Sequence, residues 1–384
     1  MSELVVEVCK IDKIIPHKNA DKLEICRVKG WDCIVGKCEY KAGDRVVFVP
    51  PDTTIPKETA ERLGIINFLA GKAHNRVKTI QLRGEISYGL ILPNEKNWKV
   101  GTNVAEFYGI EKYAPPVRLT MGDAGPEDSF FMKLTDVENI NNYPDIFEEG
   151  EMVAVTEKID GTFCRVGCSF WNVNMDDDDF NNRDMEVYEM SPFDKDEPKY
   201  CVWKAGSRNV IRKRPLEINE MTKNYYWYPY TLDAVYNLVE HLLYNCGACH
   251  VQLFGEVFGE GISGGSKSLN YGVNKGLAFR AFGLKINEEK VNYQMFKTLC
   301  DKFGVLTVPE VAVIPYNFEK IKELAKGDSI LAAENGVEHI REGVVVCSYD
   351  KDGTKTKVPP IAKFLNPNYL LLKEKGKIED FTDE

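Results

Sequence analysis

The 384-residue sequence predicts an α+β chain in two parts: a small all-β barrel, then a larger domain of antiparallel sheets with flanking helices. Three observations predict it. In the first hundred residues, short β-branched runs alternate with Gly, Pro, Asn and Asp turn signals, and little helical periodicity separates them. Residues 110–150 gather Pro115, Pro116, Gly122, Gly125, Pro126 and Pro144, the composition of a boundary. Beyond them, amphipathic helical stretches are interleaved with strand-like runs. The expected division is a front module over 1–110, a linker and entry segment over 111–150, and a second domain over 151–384.

The front strands are expected at VVEV (5–8), LEICRV (23–28), DRVVFV (44–49) and YGLILP (88–93). Short strands at that spacing suit a small sandwich or barrel. In the second part, Leu232, Val235, Tyr236, Val239, Leu242 and Leu243 fall at helical spacing within 231–246. Residues 292–303 and 318–326 predict two more helices, ended by Gly304 and Gly327 in the manner of left-handed C-terminal caps. Strands are expected at 152–157, 251–258, 277–286 and 343–348.

Composition narrows the function classes. No stretch approaches the ~18 uninterrupted apolar residues of a membrane span, and the start lacks a basic segment followed by an apolar run. Eleven scattered cysteines read as reduced thiols, so a cytoplasmic, membrane-free protein is expected. The net charge of −10 argues against a wholly electrostatic nucleic-acid binder. That charge is unevenly placed: the first hundred residues carry 17 Lys and Arg against 13 Asp and Glu, the remainder 32 against 46. Much of the acidity lies between Asp176 and Glu197, a run expected to be a solvated loop.

The chemistry concentrates at Thr156-Glu157-Lys158-Ile159-Asp160-Gly161-Thr162, where a strand ends. A lysine leaving a strand, with a carboxylate two residues on and a glycine next, stands where backbone approaches a ligand closely. Lysine is a nucleophile only once deprotonated, which takes desolvation or a nearby cation. Further along stand Gly206-Ser207-Arg208-Asn209, Leu253-Phe254-Gly255-Glu256-Val257-Phe258-Gly259, Phe279-Arg280-Ala281-Phe282-Gly283-Leu284-Lys285, Glu342-Gly343-Val344-Val345-Val346 and Ala362-Lys363-Phe364.

Together, and in this order, these segments resemble the motifs of the covalent nucleotidyltransferase superfamily, the DNA and RNA ligases and mRNA capping enzymes. The resemblance implies that Lys158 attacks the α-phosphate of a nucleotide. It implies that Arg208 and Lys363 hold phosphates, that Glu256 accepts from a ribose hydroxyl, and that Phe282 stacks on the base. Asp160 and Gly161 shape the nucleotide site, and Glu157 offers its backbone or side chain to the adenine edge. Glu342 and Asp160 face Mg²⁺ or Mn²⁺, directly or through water. One position departs from the pattern: Ile361 stands where the last motif usually has a first lysine. Lys355 and Lys357 lie upstream and substitute only if the Pro359-Pro360 segment bends back.

The stretch from Ile15 to Glu24 resembles the opening of OB-fold tRNA-binding modules. Only 21 residues follow Lys363, too few for a five-stranded barrel, so a candidate OB module precedes the catalytic region. That order resembles the fifth RNA ligase family, an N-terminal OB module joined to an ATP-grasp-like ligase nucleotidyltransferase domain. It implies an ATP-dependent RNA ligase that passes through lysyl–AMP and an adenylylated RNA end to join a 3′-OH to a 5′-phosphate. Its partner would be RNA or an RNA-containing nicked duplex, and the protein a monomer. A DNA ligase or guanylyltransferase is the rival enzyme. A catalytically inactive tRNA- or RNA-binding accessory protein is the rival of another class.

Three other patterns carry less. Gly259-Glu260-Gly261-Ile262-Ser263-Gly264 fits Gly-x-Gly-x-x-Gly, but no helix pattern follows it. Ser266-Lys267-Ser268 lacks the glycine of a P-loop. Cys246, Cys249 and His250 have metal-like spacing without a second pair to complete a zinc site.

Overall fold

The computed structural model describes residues 4–384 except 72, 114–116, 119–123, 126, 129–130, 132, 135, 173–198, 216, 263–268, 288, 351–359, 375–381 and 384. The acidic run expected at 176–197 and the pair Lys355 and Lys357 lie outside the described residues. By compactness the chain forms two units. One comprises residues 1–116, 136–147 and 362–380, the other 117–135, 148–361 and 381–384.

The first unit is built of short antiparallel strands. Strands β1 (Glu7–Lys10), β2 (Lys13–Pro16), β3 (Leu23–Val28), β4 (Trp31–Gly36) and β5 (Arg45–Val49) follow one another closely. Then come β6 (Thr79–Leu82), β7 (Glu85–Tyr88) and β8 (Leu90–Pro93). Strand β5 lies between β1 and β8, and β3 between β2 and β4. The unbroken apolar run of β5 has a simple cause, because that strand is buried on both faces. Val46 and Phe48 join one apolar cluster with Cys26, Trp31 and Tyr88, while Val47 and Val49 join another with Val8, Ile55 and Tyr108.

One expectation changes here. The strand expected over 88–93 is broken at Gly89, whose φ of 71° turns the chain between β7 and β8. A side chain at Gly89 would put its Cβ 2.2 Å from the Val49 carbonyl oxygen. The tRNA-module-like stretch has an internal task. The His17 Nε2–H donates to the Leu82 carbonyl at 3.1 Å, its Nδ1 accepts the Asn19 N–H at 3.1 Å, and the Asn19 amide donates to the Arg83 carbonyl. These bonds fasten the β6–β7 hairpin.

The second unit has two antiparallel sheets. In the first, β9 (Met152–Lys158) lies between β16 (Glu310–Pro315) and β17 (Gly343–Ser348). The second has the order β12–β11–β10–β13–β14–β15. Its strands are β10 (Thr162–Asn172), β11 (Lys199–Gly206), β12 (Ile211–Arg212), β13 (His250–Gly259), β14 (Leu277–Ile286) and β15 (Glu289–Lys290). One face of that sheet carries the large core: Cys164, Val166 and Cys168 of β10 meet Val235, Leu238, Val239 and Leu242. Those four belong to helix α1 (Asp233–Tyr244), and its apolar stripe is the reason it packs there.

Helix α2 (Tyr293–Phe303) starts where the Asn292 side chain accepts the Met295 N–H and ends at Gly304 with φ 75°, as the sequence predicts. Helix α3 (Phe318–Ala325) is different, since Lys326 ends it in right-handed geometry. Gly327 is there for space: a Cβ would lie 2.9 Å from a guanidinium nitrogen of Arg341. The short helix α4 (Ile330–Glu334) follows.

Candidate active site

Antiparallel register assembles the first pair of groups. Lys158, the last residue of β9, lies opposite Gly343, the first of β17. Glu342 therefore arrives beside the lysine from 184 positions away, and the Lys158 ammonium donates to its two carboxylate oxygens at 2.7 and 2.8 Å. Glu342 is 7% exposed, so the pair is largely withdrawn from water. Burial by itself pulls the Lys158 amine down. The carboxylates of Glu342, Glu256 and Asp160 outweigh it, and the net direction is upward from the ordinary value.

The chain then crosses from one sheet to the other through Ile159, Asp160 and Gly161. The Asp160 N–H donates to the Tyr271 hydroxyl at 2.7 Å, which pins the turn. Gly161 is required by proximity: a Cβ there would meet the Val257 carbonyl oxygen at 2.6 Å and the Glu256 side chain at 2.8 Å. The Lys-x-Asp-Gly glycine thus lets the lysine strand descend onto β13 where Glu256 stands.

On β10 alternate residues share a face, so Phe163 and Arg165 stand away from the Cys164–Val166–Cys168 core. Phe163 lies opposite Glu256, and Arg165 opposite Phe254. The pairing of β13 with β14 shifts register between Phe254 and Gly255, leaving Phe282 as the extra residue of a bulge. Its ring centre lies 5.8 Å from that of Phe163. Arg208, in the turn between β11 and β12, sets its guanidinium 5.2 Å from the Phe163 ring centre. Glu256 is held by burial, Lys158, Glu342, Arg208 and Asp160 together, with the net effect of raising its carboxyl to about 8.

The arrangement therefore gathers Lys158, Asp160, Glu256, Glu342, Arg208 and Phe282 around one face of the second unit. Glu157 faces elsewhere, as the neighbour of Lys158 in a strand must. It is 1% exposed, and its carboxylate accepts from the Ser329 hydroxyl at 2.5 Å and from the Ile330 and Leu331 N–H groups at 2.8 and 3.2 Å. A side-chain contact from Glu157 to a base edge is thereby replaced by a cap on α4. Lys363 lies half-buried on the strand Ile361–Leu365, opposite Asn139, and compactness groups it with the first unit.

Sequence reasoning missed Phe163, Tyr271 and Arg165. Phe163 was open to discovery, since two positions beyond Gly161 in an extended chain is the same face. Tyr271 carried no such signal, because a distant loop delivers it. Among the described residues no group of three or more His, Cys, Asp or Glu side chains converges as a metal cage. The donor set fits a hard cation that takes one or two carboxylates and fills its other positions with phosphate and water oxygens. Among the described residues no helix is long and apolar enough to cross a membrane.

A family model described as RNA ligase matches residues 151–364, and one described as OB-fold domain matches residues 5–94. Among solved structures, a Naegleria gruberi RNA ligase with PPi is 23% identical, covering 97% of this chain and 100% of that one at a TM-score of 0.69. A mutant of that ligase with ATP and Mn is 24% identical over 97% of this chain and 100% of its own, also at 0.69. A second mutant, with AMP and Mn, gives the same four values. At such identity the likeness establishes the shared fold, an OB-fold domain followed by an α+β ligase domain. No curated protein matches the chain.

Proposed function

Since the chain belongs to the RNA ligase family, we propose that it uses ATP to join a 3′-OH RNA end to a 5′-phosphate end, with Lys158 as the residue that takes the adenylate. The observation that carries this reading is the Lys158 amine held by Glu342, near enough to Glu256 to feel its charge, with Arg208 packed on one of two touching aromatic rings.

Three transfers follow. The Lys158 nitrogen bonds to the α-phosphorus of ATP while the bond to pyrophosphate breaks. The 5′-phosphate of RNA then takes the adenylate from the lysine. A 3′-OH attacks that activated phosphate, and AMP leaves. Each step asks for in-line placement and neutralised charge more than for proton transfer.

The residues divide that work. Arg208 holds phosphate, Glu256 accepts from ribose, and Phe282 stacks on the base with Phe163 packed against it. Asp160 is pinned by Tyr271 for the phosphate side. The OB-fold domain carries RNA, including the strand of a nicked duplex. Glu342, with Asp160, would hold a divalent cation, which would supply charge neutralisation at the phosphates. Glu342 has a second duty: while it holds Lys158, the amine keeps its proton. When Glu342 turns to other partners, the largest charge that holds the proton is gone and the amine moves toward its nucleophilic form.

The test is incubation with α-labelled ATP and Mg²⁺ or Mn²⁺, followed by a denaturing gel. Covalent label that is absent in Lys158→Ala, and sealing of a nicked RNA duplex by the unsubstituted protein, are expected. Failure of any metal to give label from ATP would sink the reading. Label from GTP alone would move it to guanylyl transfer.

A further inference from the structure

We propose that Arg165 is a positioning residue: its guanidinium fixes the turn that carries Arg208, and through that turn it sets how tightly the nucleotide's phosphates are held. The proposal rests on the phosphate-binding role given to Arg208 above.

Arg165 is 1% exposed and stands on the nucleotide face of β10, one alternate position beyond Phe163. Its Nε–H donates to the Ser207 carbonyl at 2.7 Å, and its Nη1–H donates to the Phe131 carbonyl at 2.6 Å. The guanidinium carbon lies 4.5 Å from the centre of the Phe131 ring. Ser207 is the residue before Arg208, and its own turn is tight: its N–H donates to the Val210 carbonyl at 2.9 Å, and its hydroxyl accepts the Val210 N–H at 3.1 Å. The backbone that launches Arg208 is thus anchored from behind by one planar fork.

A strap of chain holds the same turn from its other side. The Gly125 N–H donates to the Ile211 carbonyl at 2.8 Å, Ala124 bridges Arg212, and Asp128 pairs with the Lys204 ammonium on β11. Phe131 closes the strap over Arg165 and over Gly167, where a Cβ would meet the Phe131 ring at 3.3 Å. Arg165, Lys204 and Phe131 therefore lock the β11–β12 hairpin against β10.

Stability alone is a poor account of a cation here. Burial draws the Arg165 guanidinium down to about 10, which still leaves it charged at neutral pH. The carboxylate that couples to it, Glu127, is exposed and is held by Lys133 at 2.9 Å. A buried charge answered by two carbonyls and a ring face, with no buried carboxylate beside it, is often matched in stability by an apolar side chain of similar volume. What an apolar side chain cannot supply is a rigid fork that sets the separation of the Ser207 and Phe131 carbonyls.

The experiment is single-turnover formation of labelled lysyl–AMP against ATP concentration, for Arg165→Met, Arg208→Ala, the double variant and Arg165→Lys, with the thermal midpoint of each. Misplacing a binding group by about 1 Å can cost about a hundredfold, and a turn loosened but not lost should cost less, so Arg165→Met is expected to raise half-saturating ATP about tenfold. Its maximal rate should change less than about threefold. The double variant should be no worse than Arg208→Ala alone, since the same contact is lost once. Arg165→Lys, which reaches one carbonyl, should fall between, and it carries the test if the methionine variant does not fold. Multiplying defects in the double variant, or an unchanged half-saturation in Arg165→Met and Arg165→Lys, would overturn the proposal. If Arg208→Ala itself leaves ATP use unchanged, the phosphate role of Arg208 fails first, and the cause is distinguishable.

Discussion

The two units bury polar side chains differently. Among the described residues, every buried Asp, Glu, Lys or Arg belongs to the second unit: Glu157, Arg165, Lys204, Arg212, Lys322, Arg341 and Glu342. The first unit buries His17, Thr53, Thr79, Ser87, Asn141 and Asn366. Its thiols at Cys9, Cys26 and Cys33 are pushed upward by burial and so are inert packing groups. Burying a charge is expensive unless it is answered locally. The first unit closes its interior with neutral groups, while the second keeps charges inside, Glu342 beside Lys158 and Glu157, Lys204 and Arg341 in caps and ties. Three predictions test that contrast.

The largest effect is on pH. Lys158 is held above its ordinary value by carboxylates, and on the proposed reading only its deprotonated amine attacks. At ATP well below saturation the rate reports the free enzyme, and below the amine's pKa it rises in proportion to the deprotonated fraction. Lysyl–AMP formation should therefore climb about a hundredfold between pH 6 and pH 8. A flat profile would show that the Glu342 pairing does not control the nucleophile.

The second effect is structural, in the residue next to the nucleophile. Glu157 answers three donors of the 329–331 turn, and Arg341 donates twice to the Asp328 carbonyl from the residue beside Glu342. Glu157→Ala leaves buried donors unmet and should cost about 2–3 kcal/mol. Amide exchange should quicken at 328–333, while the amides of Val8, Val47 and Val49 in the first unit keep their protection. Equal loss in both units would break the contrast.

How far the sequence carried this site follows from the same residues. Lys158, Asp160 and Gly161 were legible because chemistry fixes their spacing within one turn. Glu342, Glu256 and Arg208 were legible as members of an ordered set. The α4 cap by Glu157 was not, since it needs Ser329, 172 positions away, and nothing local announces it. Gly327 misled for a related reason: a glycine after a helix suggests a left-handed cap, while this one makes room for Arg341. Strand pattern predicted β17 to the residue, yet it could not show that segments 136–147 and 362–380 gather with the front of the chain.

The smallest effect lies in the first unit and sharpens the contrast from its other side. His17 is 7% exposed and links the Leu82 carbonyl to the Asn19 N–H, which in turn leads to the Arg83 carbonyl. Arg83 and Gly84 take positive φ angles of 48° and 91°, so the hairpin tip is strained at a non-glycine and relies on that tie. His17→Ala removes two neutral hydrogen bonds and should cost about 1–2 kcal/mol. Exchange at 80–86 should quicken, and lysyl–AMP formation should stay within about twofold, because the loss touches packing and not a charge. A large fall in adenylylation would mean that the neutral interior of the first unit is also part of the catalytic apparatus, and the division of labour between the units would not hold.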